Sequence, residues 1–196
     1  LRAGAGLGAV PDDHSGDAGH GDRTSGHLIT TGTITERKRS LELARLAVAA
    51  KVPICFVGKP YNPQSEYWRE FQTLIDGELV RHIPHTESVE HMVQLLKQSR
   101  GYVLYSDYEN WCLSAHEAIA CGLPIIVPDQ PWSRELFGAQ ANYLAPGNHK
   151  ENIVRLKDFH NACPTLSAPE VKLYSWQEVG KILLDKYQGI LDKRSA

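Results

Sequence analysis

Cysteine is scarce and scattered in this chain: Cys55, Cys112, Cys121 and Cys163 make no Cys-x-x-Cys pair and no spaced ligand framework. A structural zinc site or a disulfide scaffold is therefore not expected to organise the fold. Cys55 falls inside an apolar strand pattern and reads as a buried thiol, a usage that suits a reducing compartment. The chain also lacks an Asn-x-Ser/Thr sequon, a signal peptide at its start, and any apolar run near the ~18 residues of a membrane-spanning helix. Neither charge dominates. The 21 Lys and Arg face 23 Asp and Glu for a formal net charge of -2, so no basic field points to nucleic acid or an anionic membrane. A cytoplasmic protein is expected, with any peripheral membrane contact left to a part beyond these residues. Met92 is the only methionine, and a chain opening Leu1-Arg2-Ala3 has no initiator, as expected of a fragment or a processed product.

Three motifs of chemistry are missing as well. No Asp-x-Asp ends a strand, against a divalent metal holding a diphosphate. No Gly-x-Gly-x-x-Gly follows the first strand, against a dinucleotide fingerprint. No Gly-x-Ser-x-Gly elbow is present.

What is there is an ordinary globular composition, 42% hydrophobic and 22% charged over 196 residues, enough for one domain with a real core. Residues 1–27 are rich in Gly, Asp and His and hold almost no large apolar side chains, so a flexible arm or linker is expected. His14, His20 and His27 with Asp12, Asp13, Asp17 and Asp22 allow a metal-binding reading. Their spacing follows no ligand motif, which favours a solvated tail.

From residue 28 the pattern alternates between short apolar runs and helical periods. Strands are predicted at 28–31, 53–57, 79–83, 101–105, 125–127 and 143–144. Helices are predicted around 41–48 (with Ser40 a candidate cap), 64–75, 88–98, 114–121, 153–160 and 176–191. Strands of about five residues between helices of about ten to fourteen imply βαβ units with right-handed crossovers. The expected fold class is α/β: a Rossmann-like parallel sheet of about six strands with helices on both faces, spanning residues 28–196.

The most informative segment is Ser106-Asp107-Tyr108-Glu109-Asn110-Trp111-Cys112-Leu113-Ser114-Ala115-His116-Glu117. It sets two carboxylates beside a helix N-terminus at the carboxyl end of a strand, where open α/β sheets bind ligands. Ser114 and Glu117 fit a capping box, which would account for Glu117 alone. It leaves Glu109 and the neighbouring Trp111 unexplained. Helix-end amides suit a diphosphate, and an acid aimed at a diphosphate would repel it. Both glutamates make sense together as acceptors from hydroxyls, those of a sugar and a ribose with phosphates between them. His116 reads either as a base or as a helix-surface histidine, and Ser133 and Arg134 either as ligand contacts or as a plain helix start.

The segment resembles the Glu-x7-Glu signature of retaining GT-B glycosyltransferases (family 4-like, group 1), in their C-terminal nucleotide-sugar-binding domain. Ser106, Glu109, Trp111, Leu113, Glu117, Ala118, Ala120, Gly122 and Pro124 stand in the pattern's places, and Cys112 replaces its glycine. Near the first strand, Gly32 and Lys38 keep register, while Thr33 stands for the family's arginine and Arg39 for its second glycine. Arg37 or Arg39 is then either the substitute cation or part of a solvated helix start. Val57-Gly58 resembles the end of the family's second strand. His82-Ile83-Pro84 falls where backbone groups line the base, and Ser175 to Tyr187 resembles the closing helix. The resemblance implies half of a GT-B fold that binds a UDP- or GDP-type nucleotide sugar, without cofactor or metal. It implies catalytic roles for Glu109 and Lys38 and donor contacts from Gly32, Thr33, Arg37, Gly58, Ile83, Trp111, Cys112, Leu113, Ser114 and Glu117. It also implies an N-terminal acceptor domain in the parent chain, without which little catalysis is expected. The alternatives are a non-catalytic sugar-nucleotide-binding or interaction module, favoured by Thr33 and Cys112, and a GT-B-like epimerase half.

Overall fold

Each apolar run becomes a strand of a single parallel sheet, and the intervening helices return the chain to the amino-terminal end of the strands. The computed structural model describes residues 26–194, so the expected arm lies outside the described residues except for its last two. The strands are β1 (Leu28–Thr31), β2 (Ile54–Val57), β3 (Val80–Ile83), β4 (Gly101–Val103), β5 (Ile125–Pro128) and β6 (Asn142–Leu144). They lie in the order β3-β2-β1-β4-β5-β6, all parallel. The helices are α1 (Ser40–Ala50), α2 (Glu66–Thr73), α3 (Val89–Gln98), α4 (Leu113–Ala120), α5 (Pro131–Phe137), α6 (His149–Ala162) and α7 (Trp176–Arg194), with a short 3-10 turn at Cys163–Thr165.

The two-residue period of the strands divides the core. Leu28, Ile54, Phe56 and Val103 face one way, into a cluster with Leu43, Leu46, Phe71, Leu156 and Phe159 of α1, α2 and α6. Ile29, Cys55, Val57 and Tyr102 face the other way, against Leu96, Ala115, Ala118, Ile119 and Phe137 of α3, α4 and α5. Cys55 is buried as expected, and burial raises its thiol to about 11. β1 pairs with both β2 and β4, so the chain reverses its direction of travel across the sheet between them and opens a crevice at their carboxyl ends.

The boundaries differ from the sequence pattern in instructive places. Ser65 accepts from Trp68 N–H and starts α2 two residues later than the pattern suggests. Asn148 accepts from Glu151 N–H and starts α6 earlier. Ser40 is not the cap of α1; that position is Arg39, in the left-handed region at φ 49° and ψ 41°. The strand expected to reach Tyr105 ends at Val103, although Leu104, Tyr105 and Ser106 stay buried as the chain enters the crevice. No helix among the described residues is long and apolar enough to cross a membrane.

Candidate functional site at the switch point

Two glycines shape the floor of the crevice. A Cβ on Gly58 would sit 2.0 Å from the Gly32 carbonyl oxygen, so only glycine allows the ends of β1 and β2 to lie this close. Gly32 itself adopts φ 126°, and a Cβ there would meet Lys38 Cε and Nζ at 3.2 Å. The sheet ladder continues through both: Gly32 N–H donates to Val57 O at 2.9 Å and Gly58 N–H to Ile83 O at 3.0 Å. The Ile83 carbonyl is therefore engaged in the sheet. Thr31, Gly32, Thr33, Lys38, Val57 and Leu104 line the crevice.

The Glu36–Arg39 turn then aims Lys38 back over Gly32, with Lys38 N–H donating to Thr35 Oγ1 at 3.1 Å. Across from it, the chain leaving β4 brings in Glu109, and one carboxylate oxygen collects three partners. Lys38 Nζ donates to Glu109 Oε1 at 3.0 Å, Ser106 Oγ donates to it at 2.8 Å, and Arg37 Nη1 lies 3.2 Å away. Arg37 also donates to Tyr108 O at 2.7 Å. Burial by itself would raise the Glu109 carboxyl, but Lys38, Ser106 and Arg37 together hold it below the ordinary glutamate value. Arg37 and Lys38 are thus not a solvated helix start; they close on the acidic segment 71 residues away.

The other wall is the start of α4. Its N-cap is Cys112, at φ 50° and ψ 47°, a conformation costing a non-glycine residue about 1–2 kcal/mol. The Cys112 side chain is 4% exposed and packs into the α3–α5 core rather than into the crevice. Burial raises its thiol to about 12. Cys112 O accepts from Ala115 N–H at 3.0 Å and His116 N–H at 3.2 Å. The amides of Leu113 and Ser114 lead the helix, with no turn of their own helix behind them.

This geometry overturns the capping box. With Cys112 as N-cap, the third helical residue is Ala115, so Glu117 lies too far along to reach the cap. The Ser114 hydroxyl accepts instead from the fully buried Tyr102 OH at 2.8 Å, tying α4 to β4. Glu117 keeps a solvent-exposed surface, yet enough protein surrounds its carboxyl for desolvation to raise its pKa. It lies on α4 one turn beyond Ser114. Trp111 and Leu113, on either side of Cys112 in the chain, are exposed at 63% and 53%.

The remaining candidates are structural. His116 Nδ1 lies 3.1 Å from Cys112 O, and its ring packs on Phe137. Ser133 is fully buried; Gln130 N–H donates to its Oγ, whose single proton lies between the Pro128 and Gln130 carbonyls. Arg134 pairs with Asp129 and lies over the Tyr143 ring. Among the described residues no group of three or more His, Cys, Asp or Glu is placed to hold a metal ion. The metal-binding reading of the first 27 residues falls outside the described residues apart from His27, whose Nε2 is 3.1 Å from Arg81. The sequence pattern did not reveal Tyr102 as the partner of Ser114, nor the Arg39 contacts with Tyr105 and Asp107. These are contacts between distant segments with no local signature.

A parallel sheet of this order, with a glycine-floored crevice, an inward lysine and an acidic segment entering a helix, defines a Rossmann-like α/β domain of the GT-B glycosyltransferase type. The chain belongs to the glycosyl transferases of group 1, whose family model matches residues 28–159. Among solved structures it is similar to AviGT4, a glycosyltransferase involved in avilamycin A biosynthesis (17% identity, TM-score 0.60, 86% of this chain and 52% of that one). It is also similar to the pneumococcal O-GlcNAc transferase GtfA in complex with UDP and GlcNAc (19%, 0.59, 87% and 36%). A third is the C-terminal domain of LpcC, a glycosyl transferase group 1 protein from Francisella tularensis (14%, 0.58, 69% and 75%). At these identities the likeness is one of fold. The chain spans about half or less of the length of the first two. Comparison with curated protein sequences finds no match.

Proposed function

We propose that this chain is the donor-binding domain of a retaining, metal-independent glycosyltransferase that moves a sugar from a UDP- or GDP-type nucleotide sugar to a hydroxyl acceptor. The observation that carries this is the convergence of Lys38, Arg37 and Ser106 on Glu109, with the Lys38 side chain against Gly32. The diphosphate sits between Lys38 and the Leu113 and Ser114 amides, and the nucleoside diphosphate leaves as negative charge builds on its oxygens. All three contacts to Glu109 use Oε1, which leaves Oε2 to accept from a hydroxyl of the donor sugar. Glu117 accepts from the ribose. The base lies over the ends of β2 and β3, near Gly58 and Ile83. Arg37 takes the place of the cation that Thr33 does not supply. The acceptor binds an upstream domain, and Ile182, Leu183, Leu184, Tyr187 and Ile190 of α7, all exposed here, are apolar surface for that domain to cover.

Titrating the chain with UDP, GDP and their sugars tests this reading. Lys38→Ala is expected to weaken nucleoside-diphosphate binding by about 1–3 kcal/mol, the loss of one charge-assisted contact. Calorimetry that detected no nucleotide binding by the unmodified chain would favour a non-catalytic interaction module instead.

A further inference from the structure

We infer that Arg39 is a positioning residue, which fastens the acidic segment to the turn carrying Lys38 and so sets the spacing between Lys38 and Glu109. This deepens, and for its ligand-binding consequence rests on, the donor-site reading. Arg39 holds a left-handed conformation that glycine would adopt without cost, and its side chain makes no capping bond to α1. The guanidinium lies 4.6 Å over the Tyr105 ring, and Nη1 is 3.6 Å from Asp107 Oδ1. Tyr105 is a firm anchor: it is 5% exposed, and its hydroxyl accepts from the buried Asn152 Nδ2 at 3.1 Å. Between the two side chains, the main chain adds a bond from Asp107 N–H to Arg37 O at 3.0 Å.

The Lys38–Glu109 pair is thus bracketed. On one side Arg37 reaches Tyr108 O and Glu109; on the other Arg39 reaches Tyr105 and Asp107. Arg37 touches Glu109 itself, so its loss would mix positioning with lost charge at the site. The Arg39 guanidinium contacts Asp107 and Tyr105 rather than the Lys38 ammonium or the Glu109 carboxylate, and acts through them. An exposed ion pair of this length contributes little alone, whereas a cation held over a buried ring contributes more.

The test uses the full chain and Arg39→Gly, which keeps the backbone conformation and removes only the side chain. Without ligand, hydrogen exchange of the Asp107 amide is expected to speed up by roughly twofold to fivefold, the loss of one cation–π contact. The melting temperature is expected to hold or rise. Arg39→Lys is expected to restore protection in part, because an ammonium also sits over a ring. UDP affinity is expected to fall by a similar factor while UMP affinity stays unchanged. Asp107→Asn is expected to mimic part of the effect, and the double variant to fall short of the sum. Unchanged Asp107 exchange in Arg39→Gly overturns the inference whatever the titrations give. Faster exchange with unaltered UDP affinity overturns it too, since the fastening would then not reach the site. If the unmodified chain binds neither nucleotide, the donor reading fails and Asp107 exchange alone decides the role of Arg39. Should Arg39→Gly fail to fold, Arg39→Lys and Asp107→Asn carry the same comparison.

Discussion

Lys38 is held by one anion, Glu109, at the rim of the crevice. Its side chain is 15% exposed and that of Glu109 is 12%, so each is the other's main compensation for lost hydration. On the proposed donor-site reading, a diphosphate in the crevice would compete with Glu109 for the ammonium and free the carboxylate for donor hydroxyls. Glu109→Gln is therefore expected to tighten binding of the bare nucleoside diphosphate by roughly 1 kcal/mol, because Lys38 loses its internal counterion. The same change is expected to abolish the preference for the sugar nucleotide over the bare nucleotide, and competition titrations read both. The depressed Glu109 carboxyl also predicts a pH dependence. A group whose folded pKa lies below its unfolded one contributes stability in full above the ordinary glutamate value, 4.5, and loses it as pH falls through the folded value. Thermal melts from about pH 7 down to about pH 3 should show the unmodified chain losing this increment, with Glu109→Gln showing no such loss. At this scale the sequence was legible where a motif fixed the residue. Glu109 and Lys38 stood in their pattern and meet in space. The segment's own partners, Tyr102 for Ser114 and Arg39 for Asp107, join distant stretches of chain, and no periodicity or spacing encodes such contacts.

Helix starts are where local pattern and fold disagree. Ser65 and Ser88 each cap a helix by accepting from the N–H three residues on, as a serine before an amphipathic run should. Ser114-x-x-Glu117 presents the same local signature, and the fold overrides it. Cys112 takes the left-handed position and starts α4 early, which moves Ser114 inside the helix and hands its hydroxyl to Tyr102. α1 starts by the same device at Arg39, so the two helices flanking the switch point both begin at a non-glycine left-handed residue. The strands were easier to read, because short continuous apolar runs rich in β-branched and aromatic residues suit strands covered on both faces. The order across the sheet was not legible in the pattern, since right-handed crossovers fix handedness without fixing where the chain reverses. The tightest joint among these elements is Gly58 against Gly32. Gly58→Ala is expected to destabilise the chain by about 2–3 kcal/mol, because the new methyl must push β1 and β2 apart at their carboxyl ends. Urea unfolding measures this directly.

For the whole molecule, α7 is the element the rest of the domain does not account for. Leu184 is 70% exposed, Tyr187 63% and Leu191 57%, on a helix of 19 residues. Changing Leu184 and Tyr187 to Gln is expected to leave this chain's stability within about 0.5 kcal/mol, as for exposed positions generally. In a longer polypeptide carrying an upstream domain, the same pair is expected to lower the melting temperature or free the two halves from each other. Comparative melts of the two polypeptides distinguish a covering role from an idle surface. The switch point has a mechanical side as well. Its floor is backbone pressed on backbone, stitched into β1, β2 and β3, whereas its acidic rim is fastened mainly by side chains. A ligand settling there finds the base of the cleft already rigid and has only the rim left to quieten. The entropy lost on binding should therefore fall on a few residues after β4, and relaxation measured along the chain should change there while the strand ends stay as still as before.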